Sequence, residues 1–222
     1  MATSGFWLGI YVCKDAEIVD FAAPHGVFAV ARRFDPELEA FLVADALRPV
    51  QAQAGFTVLP NYGFADRPAM DAFLVPGGFG LRQEIRNTRL HEFIRSLPPE
   101  TLLTSVCTGS WIYGRMGLLD GLPATSRKEP DRVEAKAPGK VPIDRLAEIA
   151  PACRISRARV VDAGRMITAG GITSGMEMGL HLLRRAGYGE DLIEEVARVM
   201  EYSQAYRLYR DDLEIVETAG VT

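Results

Sequence analysis

The segment Leu102–Gly121, LLTSVCTGSWIYGRMGLLDG, ends an apolar run at Cys107 and passes through Thr108, Gly109 and Ser110 into a helical apolar pattern from Trp111 to Leu119. A cysteine at the joint of a buried strand and a helix sits where the backbone turns sharply. Its thiol then projects outward, toward the first amides of the helix. Those N–H groups and the helix dipole favour an anion, which predicts a stabilised thiolate at Cys107. The arrangement is the thiol counterpart of a serine nucleophile elbow. The alternative is a free cysteine packed as a small hydrophobe, but the small residues crowding the turn favour a reactive group.

Two other segments bear on this thiol. Pro76-Gly77-Gly78-Phe79-Gly80 follows an apolar run and lacks the Gly-Lys-Ser/Thr ending and the spacing of nucleotide-binding loops. It is either a turn that needs positive φ or an oxyanion site. In the second case the Gly78 and Thr108 amides donate to charge that develops during attack by sulfur, and the bare Gly77 and Gly78 let the backbone come close. Asp20 lies in the mostly apolar stretch Ile18-Val19-Asp20-Phe21-Ala22-Ala23-Pro24. Desolvation there raises a carboxyl pKa and suits the group to donate a proton. A helix cap is the other role open to Asp20, and Glu17 is a substitute for the acid.

The three histidines do not stand beside Cys107 in sequence. His25 follows the Asp20 segment and is placed to line the same pocket, whereas His91 falls in a charged helical stretch and is expected at the surface. His181, within Gly179-Leu180-His181-Leu182-Leu183, reads as a hydrogen-bonded core histidine. The lack of a Cys–His pair weakens a protease or amidotransferase reading. Cys13 and Cys153 close or open apolar runs and are expected as core or strand-end residues. With three cysteines, no CxxC and no Cys/His cluster, neither disulfides nor a metal site is expected, no cofactor is implied, and a reducing compartment fits.

These residues need a scaffold, and the 222-residue chain is long enough for one large domain, expected to span 1–222. Hydrophobic content of 48% belongs to a globular protein, and the net charge of -4 argues against a nucleic-acid surface. No apolar stretch approaches the roughly 20 residues of a membrane helix. Nothing frames Phe6–Cys13 as a signal peptide, so a cytoplasmic protein is expected.

Apolar runs at Phe6–Cys13, Glu39–Ala44, Phe56–Leu59, Ala72–Val75 and Thr101–Val106 read as strands, with helical patterns over Phe21–Arg32 and Leu81–Leu97. Ser126–Pro142 is charged and proline-containing, a surface excursion with at most a short helix. Ile143–Ala150 reads as a helix, and Cys153–Ser156, Val160–Asp162 and Met166–Thr168 as short strands. Helices over Thr173–Arg185 and Asp191–Met200 follow. Tyr202, Tyr206 and Tyr209 in the charged tail have the spacing of helical packing residues. Repeated strand–turn–helix units predict a parallel sheet covered on both faces. Ligands of such sheets bind beyond the carboxyl ends of the strands, where both Gly77-Gly78 and Cys107 fall.

Four segments together resemble the ThiJ/PfpI superfamily over nearly the whole chain. They are Val19–Phe28, Leu74–Gly80, the elbow Val106–Ser110 with Gly117–Gly121, and Ile167–Gly175. The likeness is greatest to isocyanide hydratases and to the amidotransferase-like domains of AraC-type regulators. It implies a flavodoxin-like three-layer α/β sandwich with a mostly parallel central sheet, a cysteine nucleophile elbow, and a homodimer. It also implies Cys107 as nucleophile and Asp20 as its acidic partner. Gly77, Gly78 and Thr108 would bind the substrate end, and Thr173 would border the pocket. The chain departs from the pattern at Ala124-Thr125-Ser126-Arg127-Lys128, where many relatives continue with His-Trp, and at Ala22-Ala23, where Thr-Gly is common. A more polar or open pocket rim follows. The late His-x-Glu pair of class I glutamine amidotransferases is missing, and no DNA-binding extension follows residue 222, so a one-chain AraC-type regulator is not expected.

The expected activity is hydration of a small-molecule isocyanide to an N-formamide, with Cys107 attacking and Asp20 protonating the isocyanide carbon. The alternatives are a hydrolase or glyoxalase-like enzyme acting on a small carbonyl compound, which a histidine near Cys107 would favour, and a thiol redox sensor or binding module.

Overall fold

A computed structural model of the protein describes residues 5–130 and 141–216. Most of the expected excursion between Ser126 and Pro142 therefore lies outside the described residues. The chain begins with β1 (Phe6–Tyr11), α1 (Ile18–Ala31) and β2 (Leu38–Ala44). A small antiparallel ribbon of β3 (Val50–Gln51) and β4 (Thr57–Val58) follows, then β5 (Tyr62–Gly63). β6 (Ala72–Val75) leads to α2 (Leu81–Glu84) and α3 (Thr88–Arg95). β7 (Leu102–Val106) enters a single 3-10 turn at Cys107–Gly109 and then α4 (Ser110–Arg115). β8 (Pro123–Ala124) pairs in parallel with β9 (Arg154–Ile155), with α5 (Pro142–Ile149) between them in sequence. The hairpin of β10 (Val160–Ala163) and β11 (Met166–Ala169) precedes α6 (Ser174–Arg185), α7 (Glu190–Val199), α8 (Ser203–Tyr209) and β12 (Leu213–Ile215).

Eight strands form one sheet in the order β12-β10-β11-β7-β6-β1-β2-β5. Every pairing in it is parallel except the β10–β11 hairpin. Its centre is apolar because both faces are covered: all four residues of β6, Ala-Phe-Leu-Val, are buried. The flavodoxin-like α/β sandwich expected from the sequence is the fold observed. Among the described residues no helix is long and apolar enough to cross a membrane.

Strand order is what assembles the site. β1 is followed in sequence by β2 on one side, whereas β6 and β7 lie on its other side, so the direction of winding reverses between β1 and β6. Such a reversal opens a crevice at the carboxyl ends of the strands. The segments leaving β1, β6 and β7 at that end carry Asp20, Gly77-Gly78 and Cys107 respectively.

Helix α1 is held against α6 through two small residues one turn apart. A Cβ on Gly175 would sit 3.1 Å from Pro24 Cδ, and one on Gly179 only 2.8 Å from Val27 Cβ. Pro24 lies inside α1 and has no N–H to reach back to the Asp20 carbonyl, so the first turn is spared one intrahelical bond.

Two local expectations are corrected. The Leu81–Leu97 pattern is two helices, because the Asn87 side chain caps α3 by accepting from Leu90 N at 3.2 Å. The elbow helix stops at Arg115 instead of Leu119, and Gly117 follows with φ 75°, a left-handed conformation that ends helices. The tail returns to the sheet: β12 adds as an edge strand beside β10, pairing Val160 with Leu213.

His181 is the buried core histidine expected. Its Nε2 lies 2.6 Å from Asp162 Oδ2, and Arg185 Nη1 donates to both Asp162 oxygens at 2.8 Å. Burial alone raises the Asp162 carboxyl, but the bonds from His181 and Arg185 outweigh it and hold the group below the usual carboxylate range. Replacing Asp162 with alanine strands the buried His181 ring nitrogen, while Arg185 keeps solvent and the Gly164 carbonyl at 3.0 Å, and is expected to cost about 1–3 kcal/mol in urea unfolding. A depressed carboxyl stabilises above its unfolded pKa, so this contribution is present at neutral pH and disappears as pH falls through the folded value. A variant as stable as wild type at pH 7 would contradict it.

Candidate active site

Cys107 is the residue at which β7 stops being a strand. Its φ is 58°, a left-handed conformation that is costly for a residue with a Cβ. The surroundings pin it at both ends. Its N–H donates to the Gly170 carbonyl at 2.7 Å. Its carbonyl accepts from the hydroxyls of Ser126 at 2.8 Å and Ser110 at 3.2 Å. Ser126 arrives because the Thr125 amide docks on the Thr168 hydroxyl of β11 at 2.9 Å. Neither Ser126 nor Gly170 was marked by sequence as holding the elbow. Gly170 lies inside a small-residue segment that carries the superfamily resemblance, whereas Ser126 lies in the stretch where the chain departs from it.

Gly77 lies between the two candidate catalytic groups. A Cβ there would fall 2.6 Å from Asp20 Oδ2, 2.7 Å from Cys107 Cβ and 2.8 Å from Thr108 N. Its own N–H donates to Asp20 Oδ2 at 2.8 Å. Gly78 adopts φ 125° while packing against the Asp15–Glu17 backbone, a conformation and closeness that both require glycine. The Gly78 N–H donates to Thr108 Oγ1 at 3.2 Å, so this amide is engaged by a side chain, while the Thr108 backbone N–H bonds the Cys107 sulfur. The structure thus gathers Asp20, Gly77, Gly78, Cys107 and Thr108 at one point.

Thr173 is placed differently. It flanks α6, and its hydroxyl accepts from Arg159 Nη2 at 2.8 Å. Its neighbour Ile172 lines the cavity over Cys107. His25 also stays outside that cavity; it faces Glu39, and burial lowers its pKa.

Electrostatics at the thiol run opposite to the sequence expectation. Cys107 is 4% exposed. Burial pushes its pKa well above the ordinary thiol value, the Asp20 carboxyl pushes it further, and Arg127 and the Thr108 amide only partly oppose them. The favourable helix end is outweighed because an anion here would lose its water beside another acid. Asp20 is fully buried and also lies well above the carboxylate range. Desolvation dominates that shift, with the Gly77 N–H pulling the other way. Asp20 Oδ1 is buried without a hydrogen-bond partner. The resting pair therefore favours a thiol and a carboxylic acid, a proton donor next to a nucleophile that must lose its own proton on attack.

The cavity over this pair has a volume of about 200 Å³ and opens to the surface. Glu17, Phe79, Arg82, Arg127 and Ile172 contribute its walls around Cys107 and Thr108. Among the described residues no cluster of three or more His, Cys, Asp or Glu side chains is placed to hold a metal.

A fold of this kind with a strained cysteine elbow beside a buried acid defines a class, and the sequence comparison agrees. Residues 9–185 match the DJ-1/PfpI family, and the chain belongs to that family. It is 30% identical to the isonitrile hydratase of Pseudomonas putida over 199 residues, covering 89% of this chain and 79% of that protein. It is 31% identical to the HTH-type transcriptional regulator GbdR of Pseudomonas aeruginosa over 160 residues, 71% of this chain but 39% of the regulator. In fold it is similar to a ThiJ/PfpI family protein from Pseudomonas syringae, with a TM-score of 0.75 at 22% identity over 94% of this chain and 88% of that one.

Proposed function

We propose that the protein hydrates a small isocyanide to an N-formamide. The observation that carries this reading is a Cys107 thiol set against a buried Asp20 acid, with no histidine in the cavity. The 30% identity to an isonitrile hydratase supports it. Sulfur forms a bond to the terminal isocyanide carbon while Asp20 delivers its proton to that same carbon, and the thiol proton passes to the Asp20 carboxylate. The product is a thioimidate on Cys107. Water adds to its carbon and the C–S bond breaks; oxygen becomes the formyl oxygen, and the two water protons end on nitrogen and sulfur. A nucleophile and an acid side by side, with water able to enter the cavity, suffice. Gly77, Gly78 and Thr108 shape the approach to the sulfur, and Thr173 acts through Arg159 rather than by touching substrate.

The raised thiol pKa weighs against a redox sensor, which works through an accessible thiolate. The position of His25 removes the histidine that would favour glyoxalase-like chemistry. Formamide production from an aryl isocyanide tests the proposal. The expected result is turnover by wild type and a loss of at least about 10³-fold in Cys107→Ala. Wild-type turnover that survives unchanged in Cys107→Ala would overturn it.

A further inference from the structure

We propose that Glu17 is the general base of the second half of the reaction, taking a proton from the water that attacks the thioimidate on Cys107. This rests on the hydratase reading and assigns to hydrolysis a carboxylate separate from the acid that serves the first step.

The state of Asp20 after the first step creates the vacancy for a second group. Once the thioimidate has formed, Asp20 has given its proton to carbon and recovered one from the thiol, so it stands as a carboxylic acid and cannot take another. Water adds slowly without help, and a positioned base speeds such a step by about 10²–10⁴-fold. The described residues lining the cavity over Cys107 include one carboxylate, Glu17, and no histidine or lysine. The other polar side chains there, Gln53, Thr108 and the two arginines, do not take up protons near neutrality.

Local structure turns the Glu17 side chain toward this task. Glu17 stands at the N-cap of α1, yet its side chain makes no capping bond to the helix amides. With its amide oriented to satisfy both ends, Gln53 donates to Glu17 Oε2 at 3.0 Å and accepts from Phe79 N at 3.3 Å. That bond holds one carboxylate oxygen and leaves Oε1 to accept from water. The Glu17 N–H donates to the Gly77 carbonyl at 2.9 Å, which ties the residue to the turn lying between Asp20 and Cys107. Glu17 and Asp20 are three residues apart at the start of α1, a spacing that puts them on one face, and the Glu17 charge acts on Asp20. Their surroundings divide the roles. Asp20 is fully buried and keeps its proton, whereas Glu17 is partly exposed in a cavity that opens to the surface.

The water oxygen forms a bond to the thioimidate carbon as one water proton moves to Glu17 and the C=N π pair moves to nitrogen. Nitrogen then takes that proton from Glu17, which leaves hydroxyl, sulfur and N–H on one tetrahedral carbon. The hydroxyl loses its proton to Glu17 and closes to a carbonyl while the C–S bond breaks. Sulfur departs with the bonding pair and takes the proton from Glu17. The formamide, the Cys107 thiol and the original carboxylate result.

Phenyl isocyanide tests the assignment, with the Cys107 adduct followed by intact-protein mass spectrometry and the formamide by chromatography. Glu17→Gln is expected to form the adduct about as fast as wild type and to release it about 10²-fold more slowly, so that adduct accumulates as kcat falls. Glu17→Asp, which keeps a carboxylate one methylene shorter, is expected to recover part of the release rate. Gln53→Ala leaves the carboxylate in place but unanchored, and should slow release several-fold with adduct formation unchanged. A Glu17→Gln protein that loses adduct formation together with turnover would show a role in shaping the pocket and overturn the proposal. Wild-type turnover matched by Glu17→Gln would remove the base and leave the hydratase reading intact. Wild type that yields neither adduct nor formamide would remove that reading and the base with it.

Discussion

Asp20→Asn is expected to lower isocyanide turnover by about 10²–10⁴-fold, the range contributed by a positioned proton donor. The substitution preserves shape, and an asparagine oxygen can still accept from Gly77 N, which now donates to Asp20 Oδ2 at 2.8 Å. What it removes is the transferable proton. In wild type the activity should fall as pH rises through the elevated Asp20 pKa, and that limb should be absent from whatever turnover the variant retains. Stability supplies an independent check with a definite sign. A carboxyl whose folded pKa is raised contributes stability that is complete below its unfolded pKa, and that contribution is lost as pH rises through the folded value. Wild type is therefore expected to lose stability as pH rises from acid toward the elevated Asp20 value. Asp20→Asn should flatten this slope and be the more stable protein at pH 8 in urea unfolding. Parallel slopes in the two proteins would show that Asp20 keeps an ordinary pKa, and the acid role would fall with it.

Gly77→Ala is expected to be the most damaging single methyl group in the chain for activity. Its Cβ would sit within 2.8 Å of Asp20, Cys107 and Thr108 together. No flexible side-chain end is available to yield, because Asp20 is buried and Cys107 is pinned through its backbone. Displacing the acid from the thiol by about 1 Å is enough for a loss of roughly 10²-fold. The overpacking should cost about 1–3 kcal/mol. Gly26→Ala is the control: it lies in the interior of α1, and no atom stands within 4 Å of the added Cβ. That variant should keep full activity and gain about 0.5–1 kcal/mol. Equal activity in the two variants would mean that the Asp20–Cys107 spacing does not govern the chemistry.

Much of the site was legible because its signals are local. A strand ending at Cys107, the glycine pair Gly77-Gly78 after β6, and an acid in the apolar opening of α1 are patterns within a few neighbouring residues. The alternating strands and helices likewise carry a parallel sheet in their periodicity, and the carboxyl-end rule then predicts that these segments converge. Other features depend on partners far away in sequence. β12 is three residues in a charged tail, and only an open sheet edge beside β10 makes them a strand. The Ser126 hydroxyl and Gly170 carbonyl hold the elbow across gaps that no motif spans. Arg82 and Ile172 come to the cavity from α2 and from the loop before α6.

The protonation of the thiol divides the two kinds of information most clearly. Sequence by itself determined that Cys107 stands at a strand–helix joint, where backbone amides favour an anion, and that Asp20 is an acid in an apolar stretch where it faces desolvation. Tertiary structure decided that both groups are buried side by side. The helix end acts over one turn, whereas the loss of water and the neighbouring carboxyl are set by everything packed around the pair. That packing brings together three strand ends from residues 11, 75 and 106, and it turns an expected thiolate into a thiol beside an acid.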